Sequence, residues 1–187
     1  MIDTSDFRNG LSIIQDGQVF QIVSFQHVKP GKGPAFVRTK LRNLITGANI
    51  DKTFRAGEKM EQAIINKRPA SFLYHRDDEY TFMDLEDYDQ ITVPKAAIGP
   101  QAIFLKDNTE VQLITHDGDV LSVEVPMHME FTVTQTDPGL RGDTASGGAK
   151  PATLETGAVV NVPLFIEEGE QIRVDTRTGV YLERAKS

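Results

Sequence analysis

Between Phe36 and Leu44 the chain alternates. Val37, Thr39 and Leu41 fall on one face of an extended strand and Arg38, Lys40 and Arg42 on the other, the period of two that a half-buried strand requires. Val19 to Phe25 is rich in β-branched and aromatic residues and predicts another strand. Further strands are expected at Phe72 to His75, Tyr80 to Met83, Val111 to Thr115, Val120 to Val125, Glu130 to Gln135, Val159 to Val162, Gln171 to Val174 and Val180 to Leu182. Asp117-Gly118, between two of these, is a two-residue hairpin signal. Helical patterns are poor: Ala96 to Leu105 is interrupted by Gly99-Pro100, and Glu58 to Ile65 is short and ambiguous. Many short strands joined by Gly/Pro-rich turns predict an all-β chain of sandwiches or small barrels.

Composition suggests two internal boundaries. Asn66-Lys67-Arg68-Pro69 and Val125-Pro126-Met127 divide the 187 residues into 1–65, 66–127 and 128–187, pieces near the lower size limit for an independent core. Three small barrels sharing interfaces are expected, with no clear internal repeat.

Charge changes the picture. The net charge of −7 argues against a nucleic-acid partner, yet residues 1–64 carry nine Lys/Arg against six Asp/Glu, while residues 65–127 carry five against twelve. Such asymmetry suggests that the first third meets phosphate or another anion, though small domains also vary in charge without consequence. Zero cysteines exclude disulfides, thiolate metal sites and thiol nucleophiles and fit a reducing cytosol. No stretch approaches the roughly 20 apolar residues that span a bilayer, and Met1 to Gly10 lacks the apolar run of a signal peptide.

The most unusual segment is Lys29-Pro30-Gly31-Lys32-Gly33-Pro34, which lies between two predicted strands. Pro-Gly and Gly-Pro flank one lysine symmetrically, which predicts a hairpin tip projecting Lys32 from the barrel. Glycines on both sides leave no β-carbon to obstruct another surface. Arg38, Lys40 and Arg42 then form a basic stripe leading from the tip, suited to a phosphate backbone. A solvated turn with an incidental lysine, and the solvent face of an ordinary strand, fit the same residues. The second unusual segment, Asp137 to Thr153, is long and Gly/Pro-rich. Its Gly142-Asp143-Thr144 offers amides, a carboxylate and a hydroxyl that could read a base edge or ribose, or simply cap a turn.

Enzyme signatures are absent. His27, His75, His116 and His128 show no metal-ligand spacing and are expected mostly on strand faces. Asp84, Glu86, Asp87 and Asp89 lack the spacing and glycine of a calcium loop, so a solvated acidic face is expected. No nucleophile elbow, P-loop or dinucleotide fingerprint occurs, and no cofactor is expected.

Taken together, these residues resemble bacterial translation elongation factor P along the whole chain. The Pro30-Gly31-Lys32-Gly33 tip, followed by Phe36-Val-Arg-Thr-Lys-Leu, is similar to the family's functional loop. Lys150-x-Ala152, Gly157, Val160-x-Val162-Pro163, Ile166 and Gly169 reproduce a family signature, with Gly142-Asp143-Thr144 preceding it. The resemblance implies a three-domain L of roughly tRNA size: an SH3-like (KOW-type) barrel over 1–65, then OB-folds over 66–127 and 128–187. It implies a cytoplasmic, monomeric, non-enzymatic factor bound to the ribosome between the peptidyl and exit tRNA sites. There Lys32 positions the CCA end of peptidyl-tRNA when consecutive prolines slow synthesis. RNA contacts are implied for Lys29, Arg38, Lys40, Arg42, Gly142, Asp143 and Thr144, and for Tyr181 and Arg184, which match family positions. Many members carry a covalently lengthened tip lysine, which implies a modifying enzyme as a further partner. Pro34 is instead similar to a subgroup whose lysine works unmodified, so both states of Lys32 stay open. The hypusine-bearing homologue of eukaryotes and archaea has two domains, which residues 128–187 disfavour; a paralogue without a tip lysine is disfavoured by Lys32. A structural RNA-binding β-protein and, more remotely, a carbohydrate-binding barrel complete the alternatives.

Overall fold

The computed structural model describes residues 1–139 and 148–186. It is all-β, with three sheets of barrel-like form. The first sheet holds β1 (Ile2–Asp3), β2 (Ser12–Gln15), β3 (Gln18–Val28), β4 (Phe36–Asn43), β5 (Asn49–Arg55) and β6 (Lys59–Gln62), in the order β1-β6-β2-β3-β4-β5. The second holds β7 (Asn66–Arg76), β8 (Glu79–Asp84), β9 (Gln90–Pro94), β10 (Glu110–His116) and β11 (Asp119–Glu124), in the order β11-β10-β7-β8-β9. The third holds β12 (His128–Thr136), β13 (Ala149–Leu154), β14 (Val159–Pro163), β15 (Gln171–Asp175) and β16 (Val180–Arg184), in the order β14-β13-β12-β15-β16.

Turn chemistry explains much of this order. Asp117 (φ 50°) and Gly118 (φ 82°) both adopt positive φ, the backbone of a type I′ turn whose twist matches the flanking strands β10 and β11. Asp16 (φ 53°) and Gly17 (φ 76°) repeat the device between β2 and β3. Gly99 (φ 83°) interrupts the Ala96 to Leu105 segment as the sequence suggests, leaving a single turn, α1 (Lys95–Ile98), and a 3-10 turn at Pro100–Phe104. The ambiguous Glu58 to Ile65 segment contains strand β6, which pairs with both β1 and β2.

The chain packs as two compact units. The first is Met1–Arg68 with Leu113–Val123; the second is Pro69–Gln112 with the chain from Glu124 onward. In the first, Phe7, Ile13, Phe20, Ile22, Val37, Leu41, Phe54 and Met60 form one buried cluster. Phe7 meets Phe54 edge to face at 5.5 Å between ring centroids, a favoured aromatic geometry. Truncating a fully buried ring such as Phe54 to alanine costs about 3–5 kcal/mol in transfer and cavity energy. In the second unit, Phe104 lies 5.7 Å from Phe131, and the Lys106 ammonium donates to the Glu130 carbonyl at 2.7 Å. Gln101 donates to the Thr176 hydroxyl at 3.1 Å.

The acidic run around Asp84 differs from the solvated face expected of it. Asp84 is not part of a solvated acidic face: it is 1% exposed, and its carboxylate accepts the amide of Glu86 at 2.8 Å. Its side chain is used to hold the β8–β9 turn, while Glu86, Asp87 and Asp89 are exposed. The four histidines all lie in strands, and no cluster of metal-ligating side chains occurs among the described residues.

Candidate functional site on the β3–β4 hairpin

The longest hairpin of the first unit carries Lys32. Strands β3 and β4 pair from Phe20↔Asn43 to Val28↔Phe36, leaving residues 29–35 as the loop. The register shifts between Ile22 and Ser24. Such a bulge adds local twist and re-aims the strand beyond it, and the re-aimed Phe25 packs on Phe7 at 6.1 Å. The outer half of the hairpin is therefore braced on the core while its tip stands free.

At the tip, Lys29, Gly31, Lys32, Gly33 and Pro34 are exposed, and Pro30 is half-buried. Gly33 has φ +101°, a conformation an L side chain rarely adopts. A β-carbon on either Gly31 or Gly33 would meet nothing within 4 Å. Lys32 thus extends from a backbone that presents no bulk on either side.

The stripe follows from strand geometry. Along β4, Val37, Thr39, Leu41 and Asn43 are buried while Arg38, Lys40 and Arg42 are exposed, the alternation a one-sided strand produces. The Arg38 guanidinium sits 5.4 Å from the centre of the Phe36 ring, a cation–π contact that orients it at little entropic cost. Beside the stripe lies an open groove of about 680 Å³ lined by Ser24, Gln26, Arg38, Lys40, Asp51 and Lys52 among others. Lys52 escapes the sequence pattern because it comes from β5, a neighbour only after folding (Thr39↔Lys52).

The C-terminal candidates lie in the other compact unit. Gly142, Asp143 and Thr144 fall outside the described residues. The approach to them is fixed: a β-carbon on Gly139 would stand 2.3 Å from the Leu164 carbonyl oxygen, so only glycine fits. Lys150 is 7% exposed, and its ammonium donates to the Asp137 carbonyl, which satisfies a charge that burial would otherwise penalise. Tyr181 is half-buried on β16 opposite Val174. Arg184 is exposed; its Nε lies 3.1 Å from Glu170 and its guanidinium 4.5 Å from the Phe165 ring centre. Nearby, Arg177 grips Asp175 through Nε (3.2 Å) and a terminal nitrogen (2.9 Å). That hydrogen-bonded pair holds the Asp175 carboxyl below its ordinary range.

Comparison with known proteins decides the family. Three family models match in succession: the elongation factor P KOW-like domain over residues 3–60, the elongation factor P OB domain over 65–123, and the elongation factor P C-terminal domain over 129–184. Elongation factor P of Nocardia farcinica (strain IFM 10152) is 56% identical over 187 residues, all of both chains. The chain belongs to the elongation factor P family. Elongation factor P of Pelotomaculum thermopropionicum is 54% identical over 184 residues, 98% of this chain and all of that one. Among solved structures, eukaryotic translation initiation factor 5A from Methanococcus jannaschii superposes with a TM-score of 0.53 over 67% of this chain and 90% of that one. At 24% identity that likeness speaks for the fold alone. An elongation factor P chain is a translation elongation factor, and its KOW-like and OB modules account for the three sheets.

Proposed function

We propose that this elongation factor works on the ribosome between the peptidyl and exit tRNA sites, where Lys32 holds the CCA end of peptidyl-tRNA in a reactive geometry when consecutive prolines stall synthesis. The observation that carries this reading is the tip itself. The Lys32 ammonium stands on a braced hairpin, flanked by two glycines with open space around them, and a basic stripe runs along the same hairpin. Proline reacts slowly because its ring fixes φ and restricts how amine and ester meet. Holding one reactant in a near-attack arrangement recovers orientational entropy as rate. An ammonium on a four-carbon stem among phosphates can supply that restraint without acid or base chemistry, so the factor is not an enzyme on this reading.

Under this proposal Lys29 contacts RNA, Arg38, Lys40 and Arg42 track its phosphates, and Tyr181 and Arg184 contact RNA from the C-terminal barrel. Gly142-Asp143-Thr144 faces the small subunit. The functional domains are 1–65, 66–127 and 128–187, and the factor acts as a cytoplasmic monomer. Pro34 restricts the free loop, which favours an unmodified Lys32 over one lengthened by an enzyme.

Lys32→Ala is the direct test. The side chain is exposed, so stability stays within about 0.5 kcal/mol, while rescue of a proline-run reporter in reconstituted translation collapses. Undiminished rescue by the variant overturns the assignment.

A further inference from the structure

Phe165 has no part in the packing that explains Phe131 of the third sheet. It lies two residues beyond the end of β14 and is 57% exposed, whereas Phe131, on β12, is fully buried. Its neighbour Ile166 is buried too, so the chain places one apolar side chain inward and leaves the ring outward at the next position. The ring is nonetheless organised. The Arg184 guanidinium lies 4.5 Å from its centre, and Arg184 also donates to the Phe165 carbonyl at 3.5 Å. Glu170 holds the Arg184 Nε at 3.1 Å. Glu170 is itself fixed, since its other oxygen accepts the amide of Glu167 at 2.6 Å.

From this arrangement the geometry points to a stacking platform, Phe165 backed by Arg184, that takes the face of one unpaired RNA base. The inference deepens the ribosome reading and rests on it. Burial of apolar surface gives no reason to expose a phenylalanine here, and Glu170 holds an arginine against its ring. Together they form what RNA-binding modules use for unstacked bases: a flat aromatic surface beside a partly exposed guanidinium that can meet a phosphate or a base edge. The acidic surroundings restrict the ligand further. Glu170 is committed to Arg184, and Glu168 accepts the Thr136 amide at 3.2 Å, so their carboxylates serve the fold. Glu167 stays exposed. A surface of this sign repels a continuous phosphate track but tolerates a base, because every base presents a π-face whatever the local charge.

The chain contains no tryptophan, so Phe165→Trp installs a sole indole at the platform. The probe is purified 70S ribosomes carrying peptidyl-tRNA, titrated against the full-length factor. Expected are quenching of the indole on binding, and protection by wild-type factor of at least one rRNA or tRNA base from base-specific chemical modification. Phe165→Leu, which keeps apolar bulk without a π-face, should melt as wild type does, bind about tenfold more weakly and lose that protection, while Phe165→Trp keeps it. Arg184→Lys, which keeps the charge but loses the planar stack, should behave as Phe165→Leu does. If wild type binds and Phe165→Leu matches it in affinity and in every protected base, the platform is refuted while the ribosome reading survives. If the indole is shielded without quenching and only ribosomal protein is protected at that site, the ligand is a protein and the inference is equally refuted. If wild type fails to bind ribosomes at all, the ribosome reading falls and the platform with it.

Discussion

Gly33 holds a backbone φ of +101°, whereas Gly31, two residues earlier, lies outside the left-handed region. Neither would bring a β-carbon within 4 Å of another atom. The two residues flanking Lys32 are therefore glycine for different reasons. The conformation of the free protein requires Gly33, while nothing within the described protein requires Gly31. On the proposed function, a partner surface that comes close to the tip would supply the missing reason. Gly31→Ala should leave stability within about 0.5 kcal/mol of wild type yet impair rescue of a proline-run reporter. Gly33→Ala should impair rescue as well, with a loop strain of roughly 1 kcal/mol visible in thermal melts. Full rescue by Gly31→Ala at limiting factor would remove the argument for close approach.

The stripe gives a salt signature. Each phosphate contact contributes about one to the slope of log affinity against log salt. Replacing Arg38, Lys40 and Arg42 together by Gln should lower the slope for ribosome binding by roughly two to three. An unchanged slope would mean that the three residues are merely hydrated, and that the groove beside them is not an RNA track.

Pro34 bears on the state of Lys32. A proline that fits the bound conformation removes freedom from the free loop, an effect worth about 0.4–1 kcal/mol by analogy with folding. Factor made in a host without a tip-modifying enzyme should rescue proline runs fully, and Pro34→Ala should lose much of that activity. Either a stoichiometric adduct on Lys32 in the native mass, or an unmodified Pro34→Ala protein as active as wild type, would defeat this account.

Asp175 links folding to acid. The Arg177 side-chain hydrogen bonds, offset by desolvation, hold its carboxyl below the ordinary value of 3.8. Because the folded pKa is the lower one, the linked stability is present above the unfolded value and disappears as pH falls through the folded value. Asp175→Asn should therefore flatten the acid limb of stability below about pH 4, read as thermal midpoint against pH. An acid limb identical to wild type would assign the linkage to other carboxylates, Asp3 among them, whose pKa is lowered by hydrogen bonds from Ser5.

Legibility in the sequence followed burial. Strands β3 and β4 were plain because an apolar face repeats every second residue, and the tip because Gly and Pro punctuate it. Strand β5 (Asn49–Arg55) was invisible: only Phe54 is buried, so no alternation survives along this edge. Strand β13 (Ala149–Leu154) was hidden for the opposite reason. Its inward residues are Lys150, Ala152 and Leu154, and a lysine at a core position defeats a hydrophobic pattern unless its carbonyl partner is known. Strand β6 reads equally well as a short helix until β1 and β2 claim it. Among candidate site residues, Arg38, Lys40 and Arg42 were readable from the strand period. Lys52 and Phe165 were not, since each gains its meaning from a neighbour distant in sequence.

The contacts of the second unit carry a consequence for how this protein opens. Phe104 lies against Phe131, Gln101 reaches Thr176, and the Thr176 hydroxyl donates to the Pro126 carbonyl at 2.5 Å. Residues 100–105 are thus shared property of the second and third sheets: removing the third would expose Phe104 and strand the Gln101 amide. Local unfolding follows contiguous packing, not sheet count. The third sheet should therefore lose amide protection together with Pro69–Gln112 in a single event, and a chain that carries three modules by descent would behave as two bodies by energy.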